Sequence, residues 1–244
     1  QNGFEVGSEI QARYARSHDK PIIAVINQLD SEKASWEASL DSIRAASQVT
    51  PVVVQYPVNP GPDFNAFIDV LLMKMYKFKG DTGIREELDI PAEEMERATE
   101  LNRILTEAAA ENDEALMELY FEKGVLTQDE LRSGLKLGLA KRDLIPVFCA
   151  SGKRDIGAKR LMEFIINVAP GPLKAPNFVT VDGREIEPDS NGPTALFVFK
   201  TTVEPHLGEV TYFRVVSGKV TEGMELVNSK TGNKEKISQL FAVA

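Results

Sequence analysis

Two short apolar runs, residues 22–26 and Leu144–Cys149, each stop abruptly at a polar loop and lead into a stretch of helical periodicity. Runs that are apolar throughout suit strands buried on both faces, and strand, loop and helix in that order belong to a parallel sheet covered by helices. A helical pattern over residues 5–17 precedes the first run, and a second helix opens at Ser31, with Trp36, Leu40 and Ile43 on one face at i, i+4 and i+7. The second run leads into a helix over residues 157–168. This alternation predicts an α/β structure.

The first loop reads Asn27-Gln28-Leu29-Asp30, one residue away from Asn-Lys-x-Asp, a guanine-reading signature. A carboxylate at the carboxyl end of a parallel strand can accept both the N1 and the N2 protons of guanine, which adenine does not offer. Asp30 is the candidate reader, and Asn27 is placed to hold the loop and meet the base at its other edge. Gln28 stands where the signature has Lys, whose stem lies along the purine plane and braces the neighbouring phosphate loop. A shorter, uncharged side chain keeps the pairing to guanine but weakens the bracing, by ~1–2 kcal/mol if a charged hydrogen bond is lost. The same residues also suit an ordinary loop start, because Asn and Asp favour such positions. In the second loop, Ala150-Ser151-Gly152-Lys153, small residues let backbone amides approach a planar ring and a Ser hydroxyl can steady the bend. An ordinary strand-to-helix turn has the same composition.

A chain of 244 residues allows one large or two ordinary domains with a full core. No apolar stretch approaches the ~20 residues that span a bilayer and no charged-then-apolar leader opens the chain, so a soluble cytoplasmic protein without a membrane partner is expected. One cysteine, Cys149, excludes an internal disulfide framework and, with two histidines, argues against a structural zinc site. Cys149 itself reads as a small buried hydrophobe. The chain opens at Gln1 without an initiator Met and stops within the apolar Leu240-Phe241-Ala242-Val243-Ala244, so it reads as a fragment of something longer.

Net charge is −9, and between Asp81 and Asp143 17 Asp/Glu face 8 Lys/Arg, so that segment carries the whole imbalance. An acidic helical face repels nucleic-acid phosphate, which leaves a solvated face or a surface for a basic protein partner. Residues 49–56 form a β-branched run broken by Pro57 and by Asn59-Pro60-Gly61-Pro62. Residues 64–78 are ambiguous: Phe64, Phe67, Ile68, Leu71 and Leu72 have helical spacing while Ile68, Val70 and Leu72 alternate, and periodicity alone favours a helix. Pro91 then opens a helix with Met95, Ala98, Leu101, Leu105 and Ala108 inward. A second helix, 113–123, ends at Gly124, and a third opens on the capping box Thr127-Gln128-Asp129-Glu130 with Leu131, Leu135 and Leu139 in the core. Pro170, Gly171, Pro172 and Pro176 mark a linker. Beyond it, residues 195–203, 210–216, 224–228 and 236–241, separated by glycines, read as strands of a β-barrel incomplete at Ala244.

In their order, these parts resemble bacterial elongation factor G over nearly the whole chain. Asn27-Gln28-Leu29-Asp30 resembles the guanine signature, and Phe148-Cys149-Ala150-Ser151-Gly152 resembles the second base-contacting loop, usually Cys-Gly-Ser-Ala. Phe67-Ile68-Asp69-Val70-Leu71, Met73-Lys74-Met75-Tyr76 and Asn112-Asp113-Glu114-Ala115-Leu116-Met117-Glu118-Leu119-Tyr120 resemble the extra subdomain carried within the G domain. Phe199-Lys200, Gly208, Arg214-Val215-Val216-Ser217-Gly218 and Gly223 resemble the start of the barrel shared by translational GTPases.

The resemblance implies β-structure for the ambiguous stretch, overruling the helical reading. It implies a partial P-loop GTPase-type G domain (1–48 and 144–170), an inserted acidic α+β subdomain (49–143), a linker (171–191) and the start of a translational-factor barrel (192–244). It implies a GTP-gated factor that drives translocation on the ribosome, with Asn27 and Asp30 reading guanine, Gln28 stacking on it, and Ser151, Gly152 and Lys153 meeting the base and its exocyclic oxygen. The insert would meet the ribosomal stalk protein and the barrel the ribosomal RNA. Gln28 replaces the family's Lys and Gly152 its Ala, which keeps a paralogue with weakened nucleotide grip in view. A ribosome-binding factor with little hydrolysis and a ribosomal protection protein of the tetracycline-resistance type share the layout. The chain has no Gly-x-x-x-x-Gly-Lys-Ser/Thr loop, no magnesium-binding switch and no catalytic neighbourhood at His18 or His206. No catalytic residue and no metal ligand is therefore assigned. This stretch alone is expected neither to hydrolyse GTP nor to bind it appreciably, the Mg2+ that accompanies GTP being held elsewhere in the parent.

Overall fold

The computed structural model describes residues 3–171, 173 and 177–242, so Pro172 and Pro176 of the expected linker and the last two residues of the terminal apolar run lie outside the described residues. Backbone contacts divide the chain into a first unit, residues 1–170, and a second, residues 171–244.

The first unit is organised around a three-stranded parallel sheet in which Leu144–Cys149 (β7) lies between Ala24–Ile26 (β1) and Thr50–Val53 (β2). All six residues of β7 are buried, which is why the sequence there is apolar without alternation. Val6–Ser17 (α1) precedes β1 in the chain, while Trp36–Ala46 (α2) and Ala158–Val168 (α6) pack on the sheet. Phe148 of β7 meets Phe164 of α6 edge to face, ring centres 4.8 Å apart.

The start of α2 differs from expectation. Residues following Asp30 are spent in turns, with Ser31 N donating to Gln28 O at 3.1 Å and Ala34 N to Ser31 O at 3.0 Å, and the helix begins at Trp36 rather than Ser31. Ser35 caps it, its Oγ accepting from Ala38 N at 3.3 Å. Trp36 and Leu40 are buried on the predicted face, and Ile43 packs beside them.

Gln55–Pro57 (β3), Ala66–Asp69 (β4), Lys74–Phe78 (β5) and Arg85–Leu88 (β6) form a four-stranded antiparallel sheet in chain order. The helical periodicity of residues 64–78 is thus misleading, and the β-structure that the resemblance implied is what forms, as a hairpin. Every β4 residue is buried, so both faces are covered and the expected alternation is erased. Phe67 packs against Tyr76 and Phe78, each ring centre 5.6 Å away. Thr50–Val53, which the sequence boundaries place within the insert, pairs with β7. Only Val54 separates β2 from β3. Its N–H donates to Val147 O and its carbonyl accepts from Val70 N, both at 2.9 Å.

Ala92–Ala110 (α3), Glu114–Lys123 (α4) and Gln128–Lys141 (α5) follow the sequence signals closely. Asp113 caps α4, Gly124 ends it at φ 70°, and Thr127 and Glu130 complete both bonds of the capping box on α5. The inner face of α3 is Ala98, Leu105, Thr106, Ala109 and Ala110; Met95 is exposed. Leu131, Leu135 and Leu139 are buried together with Gly134, where a Cβ would collide with the Ala109 carbonyl of α3.

The second unit contains three antiparallel pairs: Phe178–Val179 (β8) with Glu185–Ile186 (β9), Ala195–Glu204 (β10) with Gly208–Ser217 (β11), and Glu225–Val227 (β12) with Lys234–Lys236 (β13). No closed barrel forms among the described residues, as an incomplete barrel requires. The last expected strand, 236–241, is displaced to Lys234–Lys236. Ile237 bonds back to Gly223 and Met224, and Leu240 N then turns to the Glu222 carboxylate at 3.0 Å instead of to a strand.

Candidate functional site

Parallel pairing sets Ala24, Val25 and Ile26 opposite Val147, Phe148 and Cys149, so both strands release their chains at the same edge of the sheet. The ladder continues into the loops: Ala150 N donates to Ile26 O at 2.9 Å and Leu29 N to Ala150 O at 3.3 Å. Two loops far apart in sequence are thereby laid side by side by main-chain bonds alone.

Their side chains then interlock. Ser151, fully buried, donates its hydroxyl to Asp30 Oδ1 at 2.6 Å, and the Gly152 amide donates to Asn27 Oδ1 at 2.9 Å. Ser151 Oγ also accepts from Arg154 N at 3.3 Å, while Ser151 and Ile156 exchange two main-chain bonds of 3.0 Å that close the loop. Gly157 starts α6 at φ 88°, with a Cβ there only 2.6 Å from Cys149 O, so this bend demands glycine.

The structure thus brings Asn27, Asp30, Ser151 and Gly152 into one bonded unit. Gln28 and Lys153 flank it with exposed side chains, Gln28 in the left-handed region at φ 60°. A Cβ on Gly152 would lie 3.8 Å from the Asn27 amide, ordinary contact, so the position accommodates an Ala. Cys149 is fully enclosed. Burial, reinforced by the Asp69 charge, pushes its thiol well above the ordinary value and leaves it an inert hydrophobe.

Chemically, the arrangement offers one carboxylate whose orientation is fixed by a hydroxyl, beside a carboxamide fixed by an amide. Oxygens held in this way can accept hydrogen bonds from adjacent N–H donors on one edge of a ligand. Among the described residues no cluster of His, Cys, Asp or Glu could hold a metal, and no helix is long and apolar enough to cross a membrane.

Sequence reasoning missed the residues that support the loops. Arg154 Nε pairs with Asp81 at 2.6 Å, and its Nη1 donates to the carbonyls of Pro62 at 3.1 Å and Phe64 at 2.9 Å. Gly61 N donates to Leu29 O at 2.7 Å. Deeper, buried Asp69 accepts from Gln55 Nε2 at 3.0 Å and from Arg160 Nε and Nη2 at 3.1 and 2.9 Å, tying β4 to α6. Arg160 also pairs with Glu163, which Arg85 meets at 3.2 Å. Burial alone would raise the Glu163 carboxyl, but the Arg160 hydrogen bond and the two arginine charges hold it below the ordinary value. The one sequence signal was an Asp in the middle of an apolar run.

Comparison with known proteins gives the chain its relatives. The model of elongation factor G domain 2 matches residues 193–244. Elongation factor G of Thermotoga maritima is 32% identical over an alignment that covers 98% of this chain. The chain is a homologue of elongation factor G. It spans 35% of that relative's length, so the homology describes a part. A crystal structure of a protein from Thermus thermophilus matches the fold of this elongation factor G homologue with a TM-score of 0.78 and 27% identity, covering 96% of this chain and 33% of that one.

Proposed function

We propose that this chain is part of a GTP-binding translation elongation factor acting in ribosomal translocation, and that its two interlocked loops read the guanine base. Asp30 accepts from guanine N1 and N2, Asn27 meets the opposite edge, Gln28 stacks on the ring, and Ser151, Gly152 and Lys153 approach the exocyclic oxygen. The observation that supports this most directly is the Ser151 to Asp30 bond, which fixes the orientation of the carboxylate. Bound GTP would supply the phosphoryl chemistry; the residues described here bind and orient it. Mg2+ would accompany GTP, and the ribosome would be the partner, with the acidic helices toward a basic region of its stalk protein. Cytoplasmic location follows from that role.

Gln28 favours a second reading, a ribosome-binding factor with a weakened nucleotide switch. Its uncharged side chain cannot supply the charged bracing of a Lys. Ribosome-stimulated GTP hydrolysis by the full-length protein and its Gln28→Lys variant separates the two. Robust hydrolysis in the unmodified protein supports a working translocase, and hydrolysis confined to the variant supports the weakened switch. Silence in both, with an intact ribosome assay, removes the hydrolytic reading.

A further inference from the structure

Arg154 lies one residue beyond the loop assigned to the base, yet its bonds lead away from it into the inserted sheet. The guanidinium is mostly covered, with 22% of the side chain exposed, and its fork joins three acceptors: the Asp81 carboxylate in the turn between β5 and β6, and the carbonyls of Pro62 and Phe64 in the turn before β4. Bonds to main-chain carbonyls fix position in a way that a lone surface ion pair does not. The neighbouring residue is fitted to the same turn, since a Cβ on Gly83 would run into the Asp155 carboxylate. The turn holding Gly61 also reaches the other loop, through Gly61 N to Leu29 O at 2.7 Å. Two turns of the insert therefore grip both loops.

The Arg154 main chain is the next link. Its amide donates to Ser151 Oγ at 3.3 Å, and that hydroxyl donates to Asp30 Oδ1 at 2.6 Å. A hydroxyl that accepts from one fixed group and donates to another has its rotor determined, and the carboxylate it meets is held against rotation. Reading a second proton on the same base edge depends on that angle, whereas reading one proton tolerates rotation.

We propose that Arg154 is a positioning residue for guanine specificity: by pinning the loop to the insert it aims the Asp30 carboxylate, so that the base's 2-amino group is recognised. This rests on the guanine reading above. Its signature is selective. GDP carries the N1 proton and the 2-amino group; IDP carries the N1 proton alone, so loss of aim affects GDP more than IDP.

The test is the affinity of the full-length protein for GDP and for IDP, by calorimetry, in wild type, Arg154→Ala and Arg154→Lys, with thermal unfolding of each. Loss of a charge-assisted hydrogen-bond set predicts GDP binding about tenfold weaker in Arg154→Ala and IDP binding about twofold weaker, so that preference falls about fivefold. Arg154→Lys keeps the charge without the fork and is expected between the two; if Arg154→Ala does not fold, this variant decides. A purely structural role would weaken both nucleotides equally, and an unchanged GDP/IDP ratio in a folded variant overturns the proposal while leaving the guanine reading intact. A wild-type protein with no preference for GDP over IDP overturns the guanine reading, and the role of Arg154 with it.

Discussion

Ser151 Oγ and Asp30 Oδ1 lie 2.6 Å apart although 121 residues separate them in the chain, and this bond makes one site of two loops. Replacing the buried Ser151 with Ala leaves the Arg154 amide and one Asp30 oxygen, both in part-buried bonds, without that partner. A lost bond of this type costs ~1–3 kcal/mol. Urea unfolding of Ser151→Ala beside the unmodified chain measures it; equal midpoints and slopes would show that the hydroxyl contributes nothing to stability.

The Asp69 and Arg160 pair is predicted to be more costly to break. Asp69 is inaccessible and the Arg160 side chain is 10% exposed, so Asp69→Ala strands a guanidinium in the interior with Glu163 as its remaining carboxylate. Removing one member of such a pair costs ~3–5 kcal/mol. A loss under ~1 kcal/mol in chemical denaturation would contradict the buried-pair account.

Two glycines should respond to Ala in opposite ways. At Gly134 the usual helix gain of ~1 kcal/mol is outweighed by a clash with the Ala109 carbonyl, and overpacking of this type costs ~1–3 kcal/mol. At Gly152 there is room for the methyl group, and the stiffer unfolded chain favours the variant by ~0.4–1 kcal/mol. Thermal melts of both variants give the signs; a stabilised Gly134→Ala would mean that α3 and α5 sit farther apart.

The capping box on α5 supplies a pH dependence. The Thr127 amide, and then its hydroxyl, lower the Glu130 carboxyl below its ordinary value of 4.5. A depressed acid stabilises the fold above its unfolded value and loses that contribution as pH falls through the folded one. The difference in melting temperature between the unmodified chain and Glu130→Gln should therefore be full at neutral pH and shrink as pH falls below 4.5, the ordinary value. A gap that stays constant across that range would remove the ionised cap.

Much of the fold was written locally. Leu144–Cys149 is an uninterrupted apolar run because it is the central strand, and Gly124 and Thr127 mark helix ends through bonds within a few residues. Ala66–Phe78 resisted because β4 is covered on both faces, so its apolar residues gave a helical spacing by accident. The start of α2 resisted because Ser31 and Ser35 are both good caps, and only the turns around Ala34 choose between them. At the site, Asn27, Asp30, Ser151 and Gly152 could be named from sequence, since they carry the polar groups. Arg154 could not, because two of its three partners are main-chain carbonyls that any residue would supply.

The passage through Val54 has a mechanical consequence. One buried residue, bonded through its N–H to β7 and through its carbonyl to Val70, carries the chain from one sheet to the other. No glycine and no slack peptide lies there to act as a hinge. A load applied to the four-stranded sheet would therefore travel as tension along Thr50–Pro57 and reach β7 as shear, arriving at the strand end where Ser151 begins.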